Sequence, residues 1–310
     1  MIIRIFLFFS IFFFLSISKS ISLEIKIKAE INNEIITNID IENEKKYLIF
    51  LNPRLNELKN KDIQNIAQNS LIKEIIKKKE LKKFFDVDKE YNFEDKIEKN
   101  LLLKKNIKNK DEFINFLNSN NLKYNQIRNK LKIEALWNQL VYKKYINNVK
   151  LDEELMRKKI VNQIKNSKKK YEYNLSEILF EEKINENYTE TLKKINESIK
   201  NVGFENTANI LSISNTSKNG GFIGWINELQ IADKIKKKIA DLKINEFTQP
   251  IKIPNGYLII KLNDKKEFDQ KIDVEKELKK FIENEKNRQL NNFSIIFYKR
   301  LKQNTIINEY

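Results

Sequence analysis

Two absences and one cluster bound the chemistry open to this chain. Its 310 residues contain no histidine and no cysteine. Without cysteine there is no thiolate site, no disulfide and no lipid-modified cysteine anchor. Without histidine there is no imidazole to carry protons near neutral pH. No phosphate-binding glycine loop occurs, so no nucleotide is expected, and neither is a metal or other cofactor. All 5 glycines lie between Gly203 and Gly256, and three of them fall within Asn219-Gly220-Gly221-Phe222-Ile223-Gly224-Trp225. Glycine serves where the backbone needs positive φ or close approach. The unusual backbone geometry of the chain is therefore concentrated in one place.

The length suits two domains, and 41% hydrophobic residues can build real cores. With 3 prolines and 5 glycines, long helices and few tight turns are expected. Met1-Ile2-Ile3-Arg4 followed by the apolar run Ile5 to Ile17, then Ser18-Lys19-Ser20, reads residues 1–20 as a cleaved secretory signal. Ser20-Ile21-Ser22 is a second possible cleavage site. The run is short for a permanent membrane span, so no permanent anchor is expected. The formal net charge is +16; removing residues 1–20, which carry Arg4 and Lys19 and no acid, leaves +14. Lysines are interleaved with acids, as in Lys77-Lys78-Lys79-Glu80 and Glu275-Lys276-Glu277. No basic arm mixed with aromatics appears, so nucleic-acid binding is not expected.

The elements that must position any site follow from hydrophobic period. Leu23 to Ile31 alternates as a strand, Asn32-Asn33 turns, and Glu34-Ile35-Ile36 resumes. Thr37-x-x-Asp40 then resembles a helix cap. Helices are predicted over about Lys61–Lys79, Tyr91–Leu103, Asp111–Leu117, Tyr124–Asn147 and Leu151–Ile164. In the Tyr91–Leu103 stripe Ile97, Leu101 and Leu102 face inward. Lys165 to Lys170 reads as an exposed connection. A strand at Tyr171–Phe180 opens a different pattern: helices at Thr189–Val202 and Phe204–Ala208, a strand at Phe222–Ile226, a helix at Ile231–Leu242. A hairpin follows, from Phe247–Ile253 through Pro254-Asn255-Gly256 to Tyr257–Leu262. A last helix is predicted from Val274 to Gln303, with Leu278, Phe281, Phe293, Ile296, Phe297 and Leu301 on its apolar stripe. Thr305-Ile306-Ile307 is placed beside the first strand.

Asn219 to Trp225, together with Pro254-Asn255-Gly256-Tyr257-Leu258-Ile259-Ile260-Lys261, resembles a parvulin-type peptidyl-prolyl isomerase domain. Ile31-Asn32-Asn33-Glu34-Ile35-Ile36-Thr37, Leu71-Ile72-Lys73-Glu74 and Tyr124 to Tyr145 are similar to SurA-type periplasmic chaperones. The resemblance implies an α+β protein. A helical body built from the N- and C-terminal segments would enclose an inserted parvulin-like domain with a four-stranded antiparallel sheet. Its expected divisions are 1–20, 21–168, 169–266 and 267–310. It further implies a periplasmic chaperone whose partners are unfolded outer-membrane or other exported polypeptides. Such chains expose unpaired strand edges and alternating apolar side chains before insertion, and need reversible cover.

Parvulins place two histidines behind the site where the prolyl amide twists. The barrier to that twist is roughly 18–20 kcal/mol, and the enzyme lowers it by binding the twisted form best. By this resemblance the first histidine position is Glu177, the second is Leu258, and the polar position ahead of the glycine turn is Ser214. Substrate contacts are implied at Ile223, Ile231, Ile235 and Tyr257. An apolar wall is kept while the imidazole network is gone. Glu177 is expected to face solvent or pair with a lysine, and Trp225 to pack. Two readings stand: a chaperone whose isomerase module is weak or inactive, and an active isomerase. A membrane-tethered foldase is a third, requiring residues 1–20 to remain attached.

Overall fold

The computed structural model describes residues 24–91, 93–166, 170–181, 187–268 and 273–310. Residues 1–20, the Ile97 side chain, residues 167–169 and the side chains of Lys165 and Lys170 lie outside what is described. Strand β1 (Ile27–Ile31) turns through Asn32, at φ 55°, into β2 (Glu34–Thr37). Helix α1 (Asn38–Leu51) starts at once on a complete capping box. The Thr37 hydroxyl accepts from the Asp40 N–H at 3.2 Å, and the Asp40 carboxylate accepts from the Thr37 N–H at 2.8 Å. Two donors that would be orphaned at a helix start are thereby satisfied.

Helices α2 (Asn60–Leu81), α3 (Phe93–Lys104), α4 (Lys110–Ser119), α5 (Tyr124–Tyr145) and α6 (Glu153–Asn166) follow. Each lies within a few residues of its predicted span. The 30-residue α9 (Val274–Gln303) starts where Asp273 accepts from the N–H groups of Glu275 and Lys276. It packs on α5 through Trp137, which stacks on Phe297 at 5.1 Å and donates its indole N–H to Ser294 Oγ at 2.8 Å. Strand β7 (Ile307–Glu309) pairs antiparallel with β1, so the two ends of the chain share the sheet β2-β1-β7. The body is therefore built from both termini. Ile296 departs from its predicted inward place and is exposed. The stripe turns away there because Ile295 and Phe297 take the buried positions on either side.

The inserted module has the sheet order β4-β3-β6-β5, all antiparallel. Its strands are β3 (Lys170–Phe180), β4 (Phe222–Asn227), β5 (Ile251–Ile253) and β6 (Gly256–Phe268). Helix α7 (Tyr188–Leu211) merges the two predicted helices across Gly203, whose φ of 83° breaks the helical path. Helix α8 (Asp233–Ile239) is shorter than predicted. The predicted strand at Phe247 shrinks to β5 with an isolated bridge from Phe247 to Lys261. Pro250 has no N–H to donate, so the ladder starts only after it. Alternation splits the central strands between two cores. Tyr173, Leu175, Leu179, Leu258 and Ile260 join α8 on one face; Ile178, Phe180 and Ile259 join α7 on the other.

The module is seated on the body. Lys218 reaches Glu134 at 3.2 Å, Arg54 reaches Glu205 at 3.4 Å, and Lys299 pairs with Glu181. Amide contacts join Asn52 to Asn209 and Asn215 to Asn291. Ile295 of α9 enters the module's own core cluster with Leu175 and Leu258.

Candidate functional site

Gly221 fixes the geometry of the candidate site. Its φ is 75°, and a Cβ there would lie 2.1 Å from the Glu177 carbonyl oxygen. No other residue fits so close an approach. The same approach lets the Glu177 N–H donate to the Gly221 carbonyl at 2.8 Å, which ties the glycine turn to β3. A register shift in the β3–β4 pairing between Leu175 and Ser176 leaves Ile223 without an opposite residue. This is a β-bulge, which re-aims side chains locally.

Among the described residues Glu177 is neither solvated alone nor paired with a lysine. The Ser214 hydroxyl donates to Glu177 Oε1 at 2.5 Å, and the Thr216 hydroxyl donates to the same oxygen at 2.9 Å. Ser214 is 7% exposed and caps the short 3₁₀ turn Asn215–Asn219, accepting from the Thr216 N–H at 3.3 Å. The lysine expectation for Glu177 is corrected for a physical reason. The turn that follows Leu211 folds back over β3 and brings two hydroxyls within reach before any ammonium. Thr216 was not foreseen as part of the cluster. The signal was its place two residues beyond a cap-forming serine, where a hydroxyl shares the cap's direction.

The arrangement has a chemical consequence. Each hydroxyl has one proton: Ser214 gives its proton to the carboxylate, and Thr216 has the carboxylate at 2.9 Å and Ser214 Oγ at 3.0 Å as acceptors. The cluster therefore presents acceptors rather than donors to anything approaching it.

The apolar positions separate into three groups. Ile231 (7% exposed), the half-buried Ile235 and Leu258 (8% exposed) share one core cluster. Leu258 pairs across the sheet with Leu179 and Ile251, so it is a core residue of the sheet. Ile223, 37% exposed, stands outside that cluster. Tyr257 lies on the opposite face, against Tyr188 at 4.6 Å and Phe180 at 5.5 Å. Tyr257 therefore lies on the other side of the sheet from Ile231 and Ile235, because adjacent strand residues point to opposite faces. Trp225 does not pack inward: it is 43% exposed beneath Lys266, whose ammonium sits 4.4 Å from the ring centre. With Phe222, 52% exposed, it lines the edge strand β4. Among the described residues no group of acidic side chains is placed to hold a metal, and no helix is long and apolar enough to cross a membrane.

Comparison with known proteins places these features. Residues 174–264 match the rotamase family, the PPIC-type PPIASE domain. Chaperone SurA of Pseudomonas putida is 23% identical over 163 residues, which is 50% of this chain and 38% of that protein. The match thus spans well under half of the curated relative. Among solved structures, a SurA-like chaperone of Campylobacter jejuni is 16% identical, covering 92% of this chain and 98% of that one with a TM-score of 0.38. A PrsA peptidylprolyl isomerase of Bacillus anthracis is 22% identical, covering 77% and 98%, with a TM-score of 0.30. The chain resembles SurA-type chaperones and carries one parvulin-type domain.

Proposed function

We propose that this SurA-like chain with a single parvulin domain holds unfolded exported polypeptides, outer-membrane proteins among them, in the periplasm without ATP. Its parvulin domain is a weak or inactive prolyl isomerase. One observation carries the second statement: the Ser214 and Thr216 hydroxyls both donate inward to Glu177, at 2.5 and 2.9 Å. Leu258, at the other histidine position, is 8% exposed within the sheet core. Neither position supplies a donor to the twisted amide nitrogen, so preferential binding of the transition state is lost.

The holding function is supported by the kinship with a chaperone and by the exposed rings of Phe222 and Trp225 on the edge strand. An edge strand offers unpaired backbone groups to an extended chain, and aromatic rings add contact at small entropic cost. The apolar leader at residues 1–20 supports export. The test uses the full mature chain in two assays on one preparation. Aggregation of a urea-unfolded β-barrel protein should be suppressed without nucleotide. Isomerisation of a proline tetrapeptide should stay within about tenfold of the uncatalysed rate, against the 10²–10⁴-fold that a positioned proton-transfer group contributes. Rapid turnover abolished by Ser214→Ala would establish the active-isomerase reading instead, and unsuppressed aggregation would end the chaperone reading.

A further inference from the structure

We infer that the seam between the helical body and the inserted module binds a carboxylate carried on an apolar polypeptide segment, with Lys73, Lys77 and Lys218 facing the carboxylate. This rests on the chaperone reading for the source of the segment, and the site itself stands on its own geometry. Two cavities, of about 340 and 490 Å³, meet at the seam. Both are lined by Lys73, Lys77, Asn215, Ser217 and Lys218.

The charge at this junction is unbalanced. Lys77, 3% exposed, reaches Glu134 Oε2 at 2.6 Å, and Lys218 reaches Oε1 of the same group at 3.2 Å. Burial would raise the Glu134 pKa, but the ammoniums of Lys77 and Lys218 outweigh it and hold the carboxyl well below its ordinary value. One carboxylate therefore already serves two cations. Lys73 is the third, and it has no hydrogen-bond or ion-pair partner among the described residues; its ammonium lies 5.4 Å from the centre of the Tyr298 ring. Burial, then repulsion from Lys77 and Lys218, lowers its pKa to about 7. A partly buried cation without a partner is costly unless an anion joins it. A ligand carboxylate between Lys73 and Lys218 would offset both by direct attraction.

The walls say what carries the carboxylate. The smaller cavity continues over Leu48, Leu55, Ile210, Ile213 and Tyr298. Inorganic phosphate would satisfy the lysines and leave that apolar wall bare. A segment with an aromatic or aliphatic side chain beside an Asp or Glu fills both parts. The formal charge of the whole chain, +16, favours the approach of such segments.

The probes are two fluorescein-labelled nonapeptides of alternating Phe and Ser, one with a central Glu and one with Gln in its place. Binding is followed by anisotropy with the full chain and with inorganic phosphate as competitor. The Glu peptide should bind about tenfold tighter, as expected for one charge-assisted hydrogen bond. Lys73→Gln, which breaks no ion pair, and Lys218→Gln, at a half-exposed position, should each cut the preference to below about threefold. Lys237→Gln, an exposed lysine on α8, should leave it unchanged. Equal binding of the two peptides by the wild type overturns the inference. So does an equal loss in Lys237→Gln, which would reduce the effect to overall charge. Displacement by millimolar phosphate of the Glu peptide and the Gln peptide alike would also overturn it. If β-barrel aggregation is suppressed with no peptide preference, the site falls and the chaperone reading stands. If the preference holds without suppression, the reverse follows.

Discussion

Trp137 is the residue on which the union of the two termini can be tested. It lies on α5, is 1% exposed, stacks on Phe297 and donates to Ser294, both on α9. Replacing it with alanine removes most of a buried surface of about 150–250 Å², and tryptophan-to-alanine changes in cores cost about 3–5 kcal/mol. The Ser294 hydroxyl, 6% exposed, loses its donor as well. The expected loss is about 4–5 kcal/mol, a large share of a typical total of about 5–15 kcal/mol. Trp137→Phe keeps a ring against Phe297 and loses the N–H, so it should cost about 1–2 kcal/mol. Urea unfolding followed by far-ultraviolet circular dichroism measures both. The chain has only 2 tryptophans, so in Trp137→Phe the emission of Trp225 reports the module alone. If Trp137→Ala loses less than about 1 kcal/mol, α9 does not close the body and the two ends pack separately.

The other predictions concern the module and the seam. Gly221→Ala should destabilise the module by more than about 3 kcal/mol, because its Cβ would overlap a backbone oxygen at positive φ; an early urea transition in Trp225 emission is the readout. Ser214→Ala should cost about 1–2 kcal/mol through the lost hydrogen bond to a carboxylate, while the slow rate of prolyl isomerisation stays unchanged in a protease-free assay. Lys73 gives a pH prediction. Its folded pKa of about 7 lies below the ordinary 10.5. Between these values the unfolded chain binds the extra proton, so stability rises with pH from about 7 to 10.5. The urea midpoint should increase over that window in the wild type, and Lys73→Met should flatten the increase and be at least as stable at pH 7.

Local signals carried much of the fold. The capping box at Thr37 and Asp40, the ends of α9 at Val274 and Gln303, and the pairing of Ile307 with Ile31 are each written in a few neighbouring residues or in one apolar period. The glycine cluster marked the turn against β3 because a backbone approach of that kind admits one residue type. The site's chemistry was less legible. Whether Glu177 meets a lysine or a hydroxyl depends on where the turn after Leu211 lands, and nothing near Glu177 in sequence encodes that. The face occupied by Tyr257 follows from the register of β6 against β3, where Phe180 stands opposite it. A single residue of register exchanges the two faces, so a motif match alone does not resolve it. Ile296 shows the same limit in a helix: three consecutive apolar residues cannot all face one core, and the contacts of α9 chose Ile295 and Phe297.

The turn Asn215–Asn219 joins the two functional questions. Its cap, Ser214, and Thr216 face the Glu177 carboxylate, while Asn215, Ser217 and Lys218 line the seam. A five-residue 3₁₀ turn is held by few hydrogen bonds of its own, and its position is fixed by these outward contacts on both sides. Here its inward hydroxyls already have an acceptor, and its outward side carries the cation that meets Glu134. The turn is thus anchored on both sides, to β3 through Glu177 and to the body through Glu134, and so ties the module's sheet to the body.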